Sequence, residues 1–190
     1  MYVLGDFNDR VILDCDEESL GMDGTVTAIR RKLDLKYIDR VMSGRGLCVM
    51  INQILQVEPM PILGPNDGRT CYRVVAEVIL FKPLPREVLL ATIISGDALG
   101  LRLSTGFFQD IRIPAHMLPT NSKFDEGEGQ WKWVVEGVDR NQDLYFEIGA
   151  LCRFRVVDLV FSNDKKDDSV PMLLIGTVND SGLGLDIWWV

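Results

Sequence analysis

The residues in this sequence with the most chemistry to offer are cations set beside aromatic rings. They are Arg102, Phe107, Phe108 and Arg112, then Trp131, Lys132 and Trp133, then Arg153, Phe154 and Arg155. Side chains on a strand alternate between its two faces, so Arg153 and Arg155 share one face and Phe154 takes the other. Lys132 alternates with Trp131 and Trp133 in the same way. A small barrel that buries one face and shows cations on the other tracks a phosphate backbone, with an exposed ring stacking a base. The competing reading is a core of aromatics under solvated cations. Pattern alone favours that second reading.

Catalysis has little to stand on. The single histidine, His116, lies in Ile113-Pro114-Ala115-His116-Met117-Leu118. A Ser–His–Asp or Cys–His arrangement would have to use it, and no nucleophile-elbow signature accompanies it. No phosphate-binding G-x-x-x-x-G-K-[ST] loop or G-x-G-x-x-G turn occurs. Gly44-Arg45-Gly46 is too short for a phosphate fingerprint and reads as a tight loop tip between two strands. The acidic pairs Asp125/Glu126 and Asp167/Asp168 sit in polar stretches and read as solvated rather than metal-binding. Cys15, Cys48, Cys71 and Cys152 form no C-x-x-C pair, which points to reduced thiols rather than a zinc site or disulfide framework. No catalytic residue, metal or cofactor is expected.

Charge limits the partners. The 190 residues carry 20 Lys and Arg against 28 Asp and Glu, a formal charge of −8. Non-specific coating of nucleic acid is excluded, because that affinity comes from neutralising phosphates. Residues 1–82 carry −2 and residues 83–190 carry −6, so any RNA-reading face must be local and weak. The start, Met1-Tyr2-Val3-Leu4-Gly5-Asp6, shows no signal-peptide pattern, and no apolar run approaches a membrane span.

The elements that must position these residues fall into two groups. Apolar stretches at Met1–Leu4 and Val11–Leu13 precede a helical pattern, Met22, Val26, Ile29 and Leu33. Strand-like runs follow at Leu47–Val57 and Tyr72–Phe81, separated by a Pro- and Gly-rich loop at Pro59–Gly68. This predicts a β-β-α-β-β domain over residues 1–82, an α+β unit with one main helix on a small sheet. Lys82-Pro83-Leu84-Pro85 marks the boundary, since two close prolines interrupt pairing.

Residues 83–190 read as short strands with turn signals. Strands are expected at Val88–Ile94, Leu99–Leu103, Phe107–Ile113, Trp131–Glu136, Asp143–Glu147, Leu151–Phe161, Met172–Val178 and Leu185–Trp189. Ser95-Gly96-Asp97 reads as a turn, Pro114–Leu118 as a short helical turn, Asn121–Gln130 as a polar connection and Asn163–Ser169 as a solvated hairpin tip. Strands at this spacing without helices predict an all-β closed barrel.

Several segments, taken in order, resemble the larger stalk subunits of DNA-directed RNA polymerases, and among them the RNA polymerase III branch. Phe81-Lys82-Pro83-Leu84-Pro85-Arg86-Glu87-Val88 is similar to that family's junction, and Gly46-Leu47-Cys48-Val49 to its tip loop and following strand. Leu103-Ser104-Thr105-Gly106-Phe107-Phe108-Gln109-Asp110-Ile111, Lys123-Phe124-Asp125-Glu126, Phe154-Arg155-Val156-Val157-Asp158 and Gly182-Leu183-Gly184-Leu185 with Trp188-Trp189 resemble the polymerase III members.

The resemblance implies a truncated-RNP-like N-terminal domain, residues 1–82, that docks on the polymerase core, and an S1-type OB barrel, residues 83–190. It implies a nuclear, non-catalytic subunit that forms a heterodimer with a smaller helical stalk subunit. Initiation factors and nascent RNA are its further implied partners. Core docking maps to Gly44, Gly46, Leu47 and Cys48, and RNA contact to Arg102, Phe107, Phe108, Arg112, Lys132, Arg153 and Arg155. A free-standing S1-type RNA-binding factor in translation or RNA decay is the alternative, and it leaves the N-terminal half without a purpose.

Overall fold

The computed structural model describes residues 1–14, 21–60, 68–135, 142–162 and 170–189. Contacts divide the chain into two compact units, Met1–Lys82 and Pro83–Val190. Residues 61–67 of the expected Pro59–Gly68 loop, the whole expected tip 163–169 with its Asp167/Asp168 pair, Cys15 and Glu136 lie outside the described residues.

The first unit holds β1 (Tyr2–Leu13), α1 (Gly21–Tyr37), β2 (Val41–Met42), β3 (Gly46–Pro59) and β4 (Thr70–Phe81). The sheet order is β1-β4-β3-β2 and every pairing is antiparallel. The two expected N-terminal strands are one continuous strand of 12 residues. The polar Asp6, Asn8 and Arg10 between those apolar stretches alternate with buried Phe7, Val11 and Leu13. A sheet with one solvated face accepts that pattern without interruption.

Helix α1 covers the other face, with Ile29 and Leu33 packed among Leu13, Ile51, Val74 and Val78. Val26, expected on this stripe, is exposed, and Thr25 is buried in its stead. The Thr25 hydroxyl donates to the Gly21 carbonyl at 3.1 Å, so the polar group enters with its partner. Arg30 reaches the Ile51 carbonyl at 2.8 Å and Lys32 the Ile12 carbonyl at 2.7 Å. These two contacts anchor the helix to β3 and β1 in the rotation that turns Val26 outward.

The second unit is built on β5 (Val88–Asp97), β6 (Gly100–Ser104), β7 (Ile111–Pro114), β11 (Leu151–Phe161) and β12 (Met172–Thr177). Their order, β12-β7-β6-β5-β11, closes through an additional β11–β12 pairing into a five-stranded barrel. The β7–β12 contact is parallel and the rest are antiparallel, which is the connectivity of an OB-like Greek-key barrel. Leu101, Leu103, Ile111, Ile113, Phe154 and Leu174 fill its interior. Between β7 and β11 the chain forms a second sheet, β10-β9-β8, from β8 (Ser122–Asp125), β9 (Gln130–Val135) and β10 (Gln142–Tyr145). A short strand, β13 (Gly184–Leu185), pairs with β11.

Four local readings change. Ser95-Gly96-Asp97 continues β5, and the turn sits at Ala98-Leu99, where the Asp97 carboxylate accepts from the Leu99 amide at 2.8 Å. Phe107 and Phe108 lie in a loop closed by a hydrogen bond from the Thr105 amide to the Phe108 carbonyl, and the strand begins only at Ile111. The polar stretch Asn121–Gln130 contains β8, paired to β9 around a turn capped by Asp125. The final segment is a strand only at Gly184–Leu185, and Asp186–Trp189 turns into a 3-10 helix.

Burial also decides the thiol chemistry. Cys152 is fully buried in β11, and this pushes its thiol up to about 12, from an ordinary value of 9.0. The folded state therefore holds the proton more tightly than the unfolded state. The resulting stability is complete below pH 9 and is lost as pH rises toward 12. We expect the unfolding free energy to fall across this window, by at most about 1.4 kcal/mol per pH unit from this group. Urea titrations at stepped pH should show a shallower fall for Cys152→Ala than for the parent. An identical fall would remove Cys152 from the account.

Candidate functional site

The structure separates the cations that the sequence grouped together. Arg102 on β6 and Arg112 on β7 are directly opposite one another across the ladder, and both are exposed. Among the described residues no carboxylate pairs with either. They border a shallow pocket of about 140 Å3 shared with Asp97, Leu99 and Pro114 at the hairpin tip. Phe107, in the loop joining the same two strands, is 48% exposed. Phe108 is 5% exposed and packs inward, so it supports this loop rather than offering a face.

The face is held by backbone geometry. Gly100 opens β6 with φ +142°, opposite Pro114, and a side chain there would run into the Ile113 carbonyl. Only glycine lets β6 lie this close to β7. Trp131 donates its indole N–H to the Asp97 carbonyl at 2.7 Å, tying the inserted sheet to the end of β5.

Arg153 and Arg155 stand on β11 and face out as the alternation predicts, with Phe154 buried between them. Both are engaged. Arg153 pairs with Asp186 at 2.6 Å, and Arg155 pairs with Asp180. The segment supplying these carboxylates is strapped down by more than charge. Gly184 pairs with Arg153 in the ladder, and the Trp188 ring lies where a Gly184 Cβ would stand, at 2.6 Å. Trp188 also meets Phe146 edge-on at 4.8 Å and Trp133 at 5.7 Å.

Lys132 is likewise occupied, with Asp125 at 3.4 Å and Asp143 at 3.3 Å. The hydrogen bond to Asp143 does most to raise its pKa, with the charge of the Tyr145 phenolate next. Trp131 is buried, so the Trp131-Lys132-Trp133 run is an anchored part of the inserted sheet. His116 is exposed on the 3-10 turn Ala115–Met117 that follows β7.

In the first unit, Gly44-Arg45-Gly46 is the tip of the β2–β3 hairpin, where Met42 pairs with Gly46. Arg45 reaches back to the Asp6 carbonyl at 2.5 Å, and Lys82 donates to the Gly44 carbonyl at 3.1 Å. Gly44 is exposed, whereas Gly46, Leu47 and Cys48 are buried in their own sheet. A Cβ on Gly46 would stand 2.6 Å from the Phe81 carbonyl oxygen. Burial raises the pKa of the Cys48 thiol, with the Asp34 charge adding to it. Beyond the tip, Val49 and Met50 are exposed on β3.

Sequence reasoning missed Asp180 and Asp186, which decide the state of the β11 arginines, and Gly100, which sets the hairpin. Acidic residues 25 and 33 positions downstream of their partners leave no local signal. Gly100 carried one, a glycine beside a strand run, which often marks close backbone approach.

The profile of the family described as RNA polymerase III subunit Rpc25 matches residues 87–170. DNA-directed RNA polymerase III subunit RPC8 of Bos taurus is 33% identical over 178 residues, covering 85% of this chain and 87% of that protein. The subunits of the same name from Schizosaccharomyces pombe and Saccharomyces cerevisiae are 29% and 28% identical, each over 100% of both chains.

Proposed function

This chain belongs to the family of RNA polymerase III subunits that includes RPC8 and Rpc25, and from that membership we propose that it is the larger stalk subunit of the polymerase. In this reading it is a nuclear, non-catalytic component. It pairs with a smaller helical stalk subunit, docks on the core through residues 1–82 and supports initiation together with initiation factors. Similarity along the full length of two relatives is the observation that carries the proposal.

The geometry is in keeping with both halves of it. A single helix on a four-stranded antiparallel sheet suits a truncated-RNP-like unit. The exposed tip at Gly44, with Val49 and Met50 behind it, offers a loop and an apolar edge for the core. Gly46, Leu47 and Cys48 then act by holding that hairpin rather than by contact. The barrel suits an S1-type OB domain, a fold whose second and third strands present nucleic acid. Those strands are β6 and β7, and the exposed Arg102, Arg112 and Phe107 on and between them support a reading in which a transcript runs along this face.

Purification of the tagged full-length chain from nuclear extract tests the assignment. The expected result is the complete set of polymerase III subunits, with the smaller stalk partner in equal amount. A monodisperse chain that brings down no polymerase would sink it and favour the free-standing RNA-binding factor.

A further inference from the structure

We propose that Asp180 and Asp186 are built-in competitors for RNA phosphate, which hold Arg153 and Arg155 away from a transcript that would otherwise contact β11. This rests on the reading of the barrel as an RNA-contacting domain and adds a device that limits contact to one face. Each arginine is matched with one carboxylate, Arg153 with Asp186 at 2.6 Å and Arg155 with Asp180. Both carboxylates come from one segment, the chain that follows β12 and includes β13. A guanidinium fork donates to a carboxylate or a phosphate in the same bidentate geometry. The two aspartates therefore stand where phosphate oxygens would.

The segment is held without these pairs. Gly184 and Leu185 join the ladder opposite Arg153 and Cys152, and Leu185 is fully buried. The Trp188 ring meets Phe146 edge-on at 4.8 Å, and the Trp189 indole donates to the Leu183 carbonyl at 3.0 Å. The four paired side chains are 38–48% exposed, and solvent screens an ion pair at that depth to little net stability. The carboxylates thus contribute little to the fold.

What they do decide is the charge that the outer face of β11 presents. Arg153 and Arg155 project from the same side of the strand, about 6.6 Å apart along it. Their ladder neighbours are Leu90 and Gly184 for Arg153, and Val88 and Thr177 for Arg155, all uncharged. Val88 and Leu90 are exposed, so the two cations border open apolar surface. Removing the two negative charges turns a balanced patch into a doubly cationic one, while the ladder and the ring contacts keep the backbone in place.

The test measures binding of fluorescein-labelled oligouridylate to the full-length chain by anisotropy at several salt concentrations. Asp180→Asn with Asp186→Asn should raise affinity roughly tenfold at about 0.1 M salt and steepen the log–log salt dependence by about 1.4, at about 0.7 per phosphate gained. Either substitution alone should give half that steepening. Adding Arg153→Gln and Arg155→Gln to the asparagine pair should abolish the gain and restores the parent's net charge. Glu126→Gln with Glu128→Gln, exposed on the β8–β9 turn, makes the same charge change away from β11 and should leave affinity and slope near the parent's. The asparagine pair should melt close to the parent. A lower melting point with no gain in RNA affinity would make the aspartates structural neutralisers of two neighbouring arginines and overturn the proposal. An equal gain in the Glu126/Glu128 control would reduce the effect to net charge and overturn it too. A parent that binds oligouridylate and an asparagine pair that binds no tighter defeat the masking alone. A parent and variants that all fail to bind defeat the RNA reading of the barrel with it.

Discussion

Replacing Gly100 by alanine is expected to destabilise the barrel by about 3–5 kcal/mol, a large share of the roughly 5–15 kcal/mol that holds a typical domain folded. Two effects combine there. Gly100 sits at φ +142°, a conformation that L side chains rarely adopt, worth about 1–3 kcal/mol by itself. The added Cβ would also overlap the Ile113 carbonyl and stand 3.0 Å from the Pro114 Cα, and both obstacles are backbone. Strand β6 must then move off β7, breaking a ladder that runs from Gly100–Pro114 to Leu103–Ile111. Gly106 is the control. Its φ is +92° but no atom lies within 4 Å of an added Cβ, so Gly106→Ala should show only the strain component. Urea unfolding followed by tryptophan fluorescence reads the barrel directly, because Trp131 is bonded to the end of β5. Equal stability losses at the two glycines would show that the close approach at Gly100 does not matter.

That hairpin also shows how far the sequence could be read. The strand Leu151–Phe161 and the inward pair Ile29 and Leu33 were legible because period and apolar content agree there. β1 reads as two pieces in sequence because Asp6, Asn8 and Arg10 dilute its apolar content, although their alternation is intact. Thr25 displaced Val26 from the helix interface because a threonine hydroxyl can bond its own helix, which no periodicity reveals. The site was legible as a set of residue types and not as a surface. Alternation correctly put Arg153 and Arg155 on the outside. What they face is fixed by a chain reversal that brings Asp180 and Asp186 alongside, a property of the tertiary fold. Arg102 and Arg112 became a pair only through the β6–β7 register.

On the proposed reading, the two arginine pairs should answer differently to RNA. Arg102→Gln with Arg112→Gln should weaken oligouridylate binding by the full-length chain on the order of 10- to 100-fold. It should also flatten the log–log salt dependence by about 1.4, since each single-strand phosphate contact contributes about 0.7. Phe107→Ser should lose about 1–3 kcal/mol of stacking with the salt slope unchanged, because the ring carries no charge. Arg153→Gln with Arg155→Gln should move the slope far less. Those guanidinium groups already face carboxylates, and a phosphate must displace Asp186 and Asp180 to reach them. Their loss should register in stability, and only modestly. Side chains about two-fifths exposed are well screened, and such pairs are worth roughly 0–1 kcal/mol each. A slope that drops more for the β11 pair than for the β6–β7 pair would mean that RNA strips the C-terminal segment from its arginines. The face at Arg102 and Arg112 would then be only solvated surface.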